Sequence, residues 1–234
     1  LAADTATGQS VELKTPSVER REDSAYLDGF VLEEWVARRV DSPHVVKAWP
    51  SERPRAHLYV ALEYIEGQTL AQWMADNPEP SLASVRAIVE QLAQGLQALH
   101  RREMLHQDLR PENVMIDGQG TVKLIDLATV HVAGLDEMQG YAAADPVPGA
   151  LQYAAPEYLL GQGGSPRSDL FSLAVVTYRM LGGQLPYGLD LARARAPADV
   201  RRLRYIPLRH HRPDLPAWLD AVLGKALQAD AARR

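Results

Sequence analysis

The side chains best suited to chemistry lie in the polar stretch 106–113 (HQDLRPEN) and in a carboxylate that follows it, Asp126. Asp108 is a candidate base, or an orienting group, for a hydroxyl nucleophile. Asn113 and Asp126 carry hard oxygen atoms, which suit a cation such as Mg²⁺ that bridges phosphates. The combination predicts phosphoryl transfer. The alternative is an ordinary turn between two strands, because Asp and Asn are common turn residues.

A short hairpin is expected to hold these groups in place. Val114 and Ile116 alternate with other residues before a Gly-containing turn, and Val122 and Leu124 alternate after it. Alternation of this kind predicts two strands. Catalytic side chains are often carried by loops that a rigid scaffold positions, so the hairpin would fix the polar loop at one end and Asp126 at the other.

Length and composition indicate an ordinary globular chain. It has 234 residues, of which 46% are hydrophobic and 24% charged, enough to bury a core in one large domain or two lobes. It has no cysteine, which excludes a disulfide framework or a thiolate metal site and fits a reducing compartment. No run approaches the roughly 20 apolar residues of a membrane helix, and the first residues form no signal peptide. We expect a cytoplasmic location, with neither nucleic acid nor a membrane as partner.

The polar stretch also carries a resemblance to a known family. HQDLRPEN, followed by IDLA, resembles the HRDLKPEN and DFG elements of eukaryotic-type Ser/Thr protein kinases, of the bacterial style. The resemblance implies that Asp108 is the catalytic aspartate, that Asn113 and Asp126 hold Mg²⁺, and that ATP is the phosphate donor. Arg110 takes the place of the catalytic-loop lysine and keeps a positive charge near the transferred phosphoryl group.

The first 40 residues resemble part of a kinase small lobe. Residues 1–16 predict two strands joined by a turn, and Lys14 takes the place of the VAIK lysine that contacts the nucleotide's α- and β-phosphates. Residues 17–27 are polar and charged, so we expect a mobile connection. Residues 30–40 then predict a helix in which Glu33 resembles the glutamate that pairs with the strand lysine.

The segment around Glu63 resembles the hinge between two kinase lobes. Residues 57–64 read as a buried strand and lead into the sequence EYIEG. By resemblance, Leu62 is the gatekeeper, and the nucleotide is recognised by the Glu63 carbonyl and the Ile65 amide. Because backbone groups make these contacts, the identity of the side chains carries little weight.

Two distant motifs extend the resemblance. Residues 149–158 resemble GTxxYxAPE, and residues 168–178 resemble the central F helix of the large lobe. In the family Asp169 would cap that helix and bind the backbone of the catalytic loop. Arg234 would pair with Glu157.

The implied fold is α+β: a bilobal protein-kinase-like fold with a small β-rich N-lobe and a larger, mainly helical C-lobe. Residues 1–64 would form a partial N-lobe of strands plus the C helix. Residues 65–234 would form the C-lobe with the catalytic loop, activation segment and F helix. This C-lobe is expected to begin with helices over 68–76 and 82–103.

Several positions depart from the family pattern. The Gly-rich phosphate-covering loop would lie just before Leu1 and is missing from this chain, so we expect the chain to be a piece of a longer protein. Glu12 stands where an alanine packs over adenine, and a carboxylate there is unfavourable unless it turns to water. Gln107 replaces the arginine that receives an activation-loop phosphate. Residues 129–149 offer only Thr129 and Tyr141 as hydroxyls, which predicts activity without loop phosphorylation.

Three functions remain open from the sequence. The first is a protein kinase that transfers the ATP γ-phosphoryl group to Ser or Thr hydroxyls of proteins. The second is a pseudokinase that binds nucleotide or serves as a scaffold, favoured by Glu12, Ala128 and Ala150. The third is a small-molecule phosphotransferase of the aminoglycoside-kinase type, which resembles the chain at HQD, Asn113 and IDL but lacks the APE and F-helix motifs. The sequence leaves the protein substrate and any fused domains open.

Overall fold

A computed structural model describes residues 1–5, 7–20, 22–50, 55, 57–134 and 150–234. A small, sheet-rich part comes first in the chain and a larger, mainly helical part follows, as the α+β prediction expects. Its strands are β1 (Ala2–Ala3), β2 (Ser10–Lys14), β3 (Val60–Glu63), β4 (Gly67–Thr69), β5 (Met104–Leu105), β6 (Val114–Asp117), β7 (Val122–Leu124) and β8 (His131–Val132). Its helices are α1 (Ser24–Arg39), α2 (Leu70–Asp76), α3 (Leu82–His100), α4 (Pro156–Leu159), α5 (Pro166–Gly182), α6 (Asp190–Arg193), α7 (Pro197–Arg202) and α8 (Ala217–Ala226).

The first sheet has the antiparallel order β1-β2-β3. The two strands predicted in residues 1–16 are confirmed. The buried strand predicted over 57–64 is also confirmed, although it is shorter and covers Val60–Glu63. Within the ladder Glu12 lies opposite Leu62, and Lys14 lies opposite Val60. The sheet therefore fixes Lys14 at the end of β2.

Helix α1 begins earlier than the sequence predicted. Asp23 is its N-cap, with a side chain that accepts a hydrogen bond from the Tyr26 amide, which satisfies one of the free N–H groups of the first turn. A short 3₁₀ turn at Val18–Arg20 precedes it. The polar connection predicted over 17–27 is therefore shorter than expected, because Asp23 caps a helix that begins within it at Ser24. The helix ends at Arg39, ahead of Pro43, as predicted.

One face of α1 is buried against the sheet. Its apolar members, Phe30, Val36 and Ala37, belong to the main hydrophobic core, as does Val40 just past the helix end. Glu33 lies among them and is only 2% exposed. Burying a carboxylate is unfavourable unless it has a partner. The buried position of Glu33 therefore predicts a partner for its side chain.

The segment after α1 joins the two parts of the molecule. The Val46 amide donates to the Leu124 carbonyl at 2.9 Å, and the Leu124 amide donates to the His44 carbonyl at 2.9 Å. Leu124 belongs to β7, which forms the second sheet with β6 and β4 in the order β4-β6-β7. The predicted hairpin of residues 114–124 is confirmed, and its strands are tied directly to the chain that leaves α1.

The larger part is built on α3 and α5, which pack against each other. The helices predicted over 68–76 and 82–103 are confirmed with shorter bounds. The first begins at Leu70 because the Thr69 side chain caps it, and the second ends at His100, ahead of Glu103, which has a φ of 56°. Within the part of the chain that the structure describes, no helix combines the length and apolar character needed to cross a membrane.

Helix α5 is the most buried helix of this part. Ser165 caps it and forms a capping box with Ser168, and Gly183 ends it with a φ of 68°, a conformation that glycine adopts readily. The sequence had predicted Asp169 as the cap, and this was wrong. Asp169 lies inside the first turn, because the serine four residues earlier supplies the cap and leaves the Asp169 carboxylate available for another task.

Candidate active site

The predicted catalytic loop, residues 106–113, is closed by a contact between its own side chains. Asn113 Nδ2 donates to the Asp108 carboxylate at 2.8 Å and to the Asp108 carbonyl at 2.9 Å. Asn113 is 4% exposed and sits at the end of a 3₁₀ turn that leads into β6. Its amide group therefore fixes Asp108 while the amide oxygen remains an acceptor for another partner.

Asp169 holds the start of this loop from α5. Its carboxylate accepts hydrogen bonds from the His106 amide and the Gln107 amide, each at 3.0 Å, and it lies 2.7 Å from Nε2 of His100. Gln107 has a φ of 67°, a conformation that is uncommon outside glycine. The predicted link between Asp169 and the loop backbone is confirmed, and it stabilises this turn.

Lys14 and Glu33 form an ion pair between β2 and α1. Lys14 Nζ lies 2.6 Å from Glu33 Oε1, and the two side chains are 28% and 2% exposed. Burial would lower the pKa of Lys14, but the charge and hydrogen bond of Glu33 outweigh burial and hold that pKa above its ordinary value. Burial raises the pKa of Glu33, against the opposing effect of Lys14. The short contact favours the charged pair, as charge-assisted hydrogen bonds are short.

Asp126 connects the ion pair to the catalytic loop. Its charge contributes to the raised pKa of Lys14, and it also contributes to the raised pKa values of Glu33 and Asp108. A single carboxylate can influence all three only if it lies near both groups. Asp126 has a φ of 59° and follows the Ile125 amide, which donates to the Asn113 carbonyl at 2.9 Å.

Asp108 sits in a partly desolvated environment beside a cation. Burial raises its pKa, and the charge of Arg110 and the hydrogen bond of Asn113 only partly offset that effect. Arg110 Nε lies 3.5 Å from Asp108 Oδ2. The structure thus brings together Asp108, Arg110 and Asn113, with Asp126 within electrostatic range.

The donor set is suited to a magnesium ion bound together with phosphate. Among the described residues, no cluster of three or more His, Asp or Glu side chains is arranged to hold a metal ion alone. Asn113 and Asp126 offer an amide oxygen and a carboxylate, and Mg²⁺ typically takes one or two such groups plus phosphate oxygens and water. The residues present therefore fit Mg²⁺ that arrives with a nucleotide.

Comparison with known proteins decides the family. Residues 1–234 match the protein kinase domain. This chain belongs to the protein kinase family. It is 28% identical to the serine/threonine-protein kinase PknA of Corynebacterium glutamicum, over the whole chain and 50% of that protein. It is 29% identical to PknL of Mycobacterium tuberculosis, over 85% of this chain and 50% of that protein.

A solved structure supports the same conclusion. The crystal structure of the Mycobacterium tuberculosis PknI kinase domain matches with a TM-score of 0.70 and 28% identity, and covers 96% of this chain and 79% of that one. The bilobal kinase fold predicted from the sequence is confirmed. This kinase domain spans half of the length of PknA and of PknL. It spans 36% of the length of the Bacillus subtilis serine/threonine-protein kinase PrkC.

The predicted hinge segment is held by the side chain of Glu63. Glu63 Oε1 accepts from the Lys47 amide at 2.9 Å, and Glu63 Oε2 lies 2.7 Å from Lys123 Nζ. Leu62 is buried, and Ile65 packs against the core. No sequence motif singles out Lys123, although its place between the buried Val122 and Leu124 indicates that it faces the other side of β7.

The kinase domain also contains the ion pair predicted between Glu157 and Arg234. Arg234 donates to both oxygens of Glu157, at 2.7 and 2.8 Å, and Ser168 Oγ donates to the same carboxylate at 2.6 Å. Of the expected activation segment, residues 129–134 are described, and Thr129 Oγ1 donates to the His106 carbonyl at 3.3 Å. The remainder, including Tyr141, lies outside the described residues.

Proposed function

We propose that this domain is an active protein kinase that transfers the γ-phosphoryl group of ATP to Ser or Thr hydroxyls of a protein substrate. The observation that carries the proposal is the simultaneous presence of the Lys14–Glu33 ion pair and the closed Asp108–Asn113 loop, with Asp126 close to both. Catalysis in this class depends mainly on positioning and electrostatics, so an assembled set of groups favours activity.

Each site residue has a role in this proposal. Lys14 binds the α- and β-phosphates, and Glu33 positions the Lys14 ammonium through their 2.6 Å contact. Asn113 and Asp126 hold Mg²⁺, which neutralises phosphate charge when bound. Asp108 orients the substrate hydroxyl and accepts its proton. Burial raises the pKa of Asp108, and a raised pKa makes a carboxylate a better proton acceptor.

Arg110 and the hinge complete the proposed site. Arg110 supplies a positive charge beside Asp108, 3.5 Å from its carboxylate, where charge on the transferred group would be stabilised. The Glu63 carbonyl and the Ile65 amide would recognise adenine. The proposed lobe boundary between residues 64 and 65 follows β3 directly, and we propose a cytoplasmic location for the domain, where ATP is available.

The other two functions receive less support. A pseudokinase would retain the fold without needing the complete set of charged groups, and the curated relatives are serine/threonine-protein kinases. A small-molecule phosphotransferase does not require the Glu157–Arg234 pair or the link between Asp169 and the catalytic loop, yet both are formed here. Glu12 is half-buried opposite Leu62, which bears on nucleotide affinity rather than on the transfer step.

A transfer assay tests the proposal. The full-length protein, labelled ATP and Mg²⁺ are incubated with a general protein substrate, and wild type is compared with Asp108→Asn. We expect the variant to lose about 10²–10⁴-fold in rate while it still binds ATP. Asp190→Asn is the matched control, because its side chain is 75% exposed on α6. Equal incorporation by wild type and Asp108→Asn would falsify the proposal.

A further inference from the structure

Helix α1 approaches the segment that follows Asp126 at a glycine. A Cβ atom placed on Gly29 would lie 3.0 Å from the Ala128 carbonyl oxygen and 3.9 Å from the carbonyl carbon. The shorter distance is tighter than most contacts that Cβ atoms make in proteins. The backbone of α1 therefore lies about as close to Ala128 as the absence of a side chain allows.

One turn further along α1, Glu33 meets the same segment. Residues four apart lie on one face of a helix, so Gly29 and Glu33 share a side of α1. Burial raises the pKa of Glu33, and Lys14 and the backbone amide of Leu127 act in the opposite direction. An amide that lowers the pKa of a carboxylate lies close to it. Helix α1 thus meets two consecutive residues, Leu127 and Ala128, at points one turn apart.

These two contacts join charged groups of the proposed nucleotide site. Glu33 holds Lys14 Nζ at 2.6 Å, and Asp126 directly precedes Leu127 in the chain. Asp126 has a φ of 59°, which is uncommon for a residue with a side chain, so its backbone depends on support from its neighbours. A displacement of α1 would therefore move Glu33, and with it Lys14, relative to Asp126.

We propose that Gly29 is a positioning residue for the Lys14–Glu33 pair. Because Gly29 has no side chain, α1 lies against the Ala128 carbonyl, and this distance sets where Glu33 holds the Lys14 ammonium. The inference rests on the proposed kinase function, in which Lys14 binds the α- and β-phosphates of ATP. A methyl group at position 29 would meet backbone, which cannot rotate away as a flexible side chain can, so α1 would have to shift by a few tenths of an ångström.

The substitution Gly29→Ala separates a positioning role from a purely structural one. Alanine is favoured over glycine inside a helix, so the added methyl group favours helical α1 while it displaces the helix from Ala128. We expect the melting temperature to stay within about 5 °C of wild type. The affinity for nucleotide should fall, because the Lys14 ammonium no longer lies at its place beside the phosphates.

Nucleotide binding by the full-length protein tests the inference. The affinity for a non-hydrolysable ATP analogue with Mg²⁺ is measured by calorimetry for wild type and Gly29→Ala. We expect the variant to bind about tenfold more weakly, the loss that accompanies a weakened hydrogen bond to a charged group. Asp28→Ala is the matched control, because Asp28 is the neighbouring residue of α1 and is exposed. This control should bind the analogue as tightly as wild type does.

A second background shows whether the effect passes through Glu33. In Glu33→Leu, Lys14 has lost the group that holds it, so Gly29→Ala should cause little further loss of affinity. Equal fold losses in both backgrounds would overturn the inference. Wild-type affinity for Gly29→Ala, or a fall of more than about 5 °C in its melting temperature, would also overturn it.

The binding assay keeps this inference separate from the proposed function, because binding does not need transfer. The expected pattern of affinities together with no transfer by wild type would support the role of Gly29 and count against the proposed kinase activity alone. Absence of nucleotide binding by wild type would overturn both.

Discussion

Replacing Arg234 with Met should destabilise this kinase domain by about 3–5 kcal/mol, the usual penalty for breaking a buried ion pair. The Arg234 side chain is fully buried, and the Glu157 side chain that it binds is 9% exposed. Both oxygens of Glu157 accept from the guanidinium, at 2.7 and 2.8 Å. After the substitution, Glu157 would keep the Ser168 hydroxyl at 2.6 Å and would lose its counter-charge in a desolvated place.

The size of this effect makes it easy to measure. The free energy of unfolding of native domains is about 5–15 kcal/mol, so the loss would be a large fraction of the total stability. The melting temperature should fall by about 10 °C. The guanidinium also lies 4.7 Å from the centre of the Phe171 ring, and methionine restores part of that packing. The loss should therefore reflect mainly the unpaired carboxylate.

A double-mutant cycle in urea tests the reasoning. Arg234→Met, Glu157→Leu and the double variant are compared with wild type, and the double variant should be clearly more stable than the sum of the single losses predicts, because it buries no unpaired charge. Arg233→Met is the control: its side chain is 74% exposed, and its effect should stay within about 0.5 kcal/mol. A loss below about 1 kcal/mol for Arg234→Met, or strict additivity in the cycle, would refute the argument.

The same pair predicts a pH dependence. Burial alone would raise the pKa of Glu157, but the hydrogen bonds and charge of Arg234, with Ser168, outweigh it and hold that pKa below its ordinary value. The unfolded chain then binds more protons at this site than the folded chain does in the window between the two pKa values, so stability rises with pH across it. The contribution is present above the unfolded pKa of about 4.3 and is lost as the pH falls through the lower folded pKa. When the free energy of unfolding is measured by urea titration at a series of pH values, Glu157→Gln should lack this part of the decrease in stability at low pH.

Two further predictions concern the sheet and the activation segment. Gly67→Ala should destabilise the domain by about 1–3 kcal/mol, since a Cβ there would lie 2.1 Å from the Ile116 carbonyl oxygen, whereas Gly118→Ala meets no atom within 4 Å; thermal melts that do not distinguish the two variants would contradict this. The combined variant Thr129→Ala, Tyr141→Phe should retain kinase activity in the labelled-ATP assay, because Gln107 lacks the charge that would bind a loop phosphate. Loss of activity with an unchanged melting temperature would show that a loop hydroxyl is needed.

The sequence could predict the contacts of the site that join residues close together in the chain. Asp108 and Asn113 are five residues apart, so local turn geometry is enough to bring their side chains together. Spacing alone could not predict the Lys14–Glu33 pair, because the pair forms only where β2 and α1 pack against each other. The resemblance to a family supplied that information. The start of α1 was missed because a polar segment looks like a linker unless its cap, Asp23, is recognised.

Asp169 and Arg179 illustrate what spacing cannot supply. Both Ser165 and Asp169 are good caps, and only the packed structure reveals that the serine caps α5 and the aspartate binds the catalytic loop. Arg179 stands in an apolar run, where a sequence pattern suggests a solvent-facing charge. Its contact with Tyr153 depends on the packing of segments far apart in the sequence.

Two neighbouring residues connect the Glu157–Arg234 pair to the predicted catalytic loop. A substitution that breaks the ion pair is therefore expected to lower both stability and activity, whereas a substitution in the loop can lower activity alone. Ser168 binds Glu157, and Asp169, the next residue, binds the loop backbone. Breaking the ion pair should therefore loosen the first turn of α5 and displace Asp108, which lowers the transfer rate. Removing the Asp108 carboxylate takes away the proposed proton acceptor but no scaffold contact of α5. Asp108→Asn should for this reason lose activity while the melting temperature stays close to that of wild type.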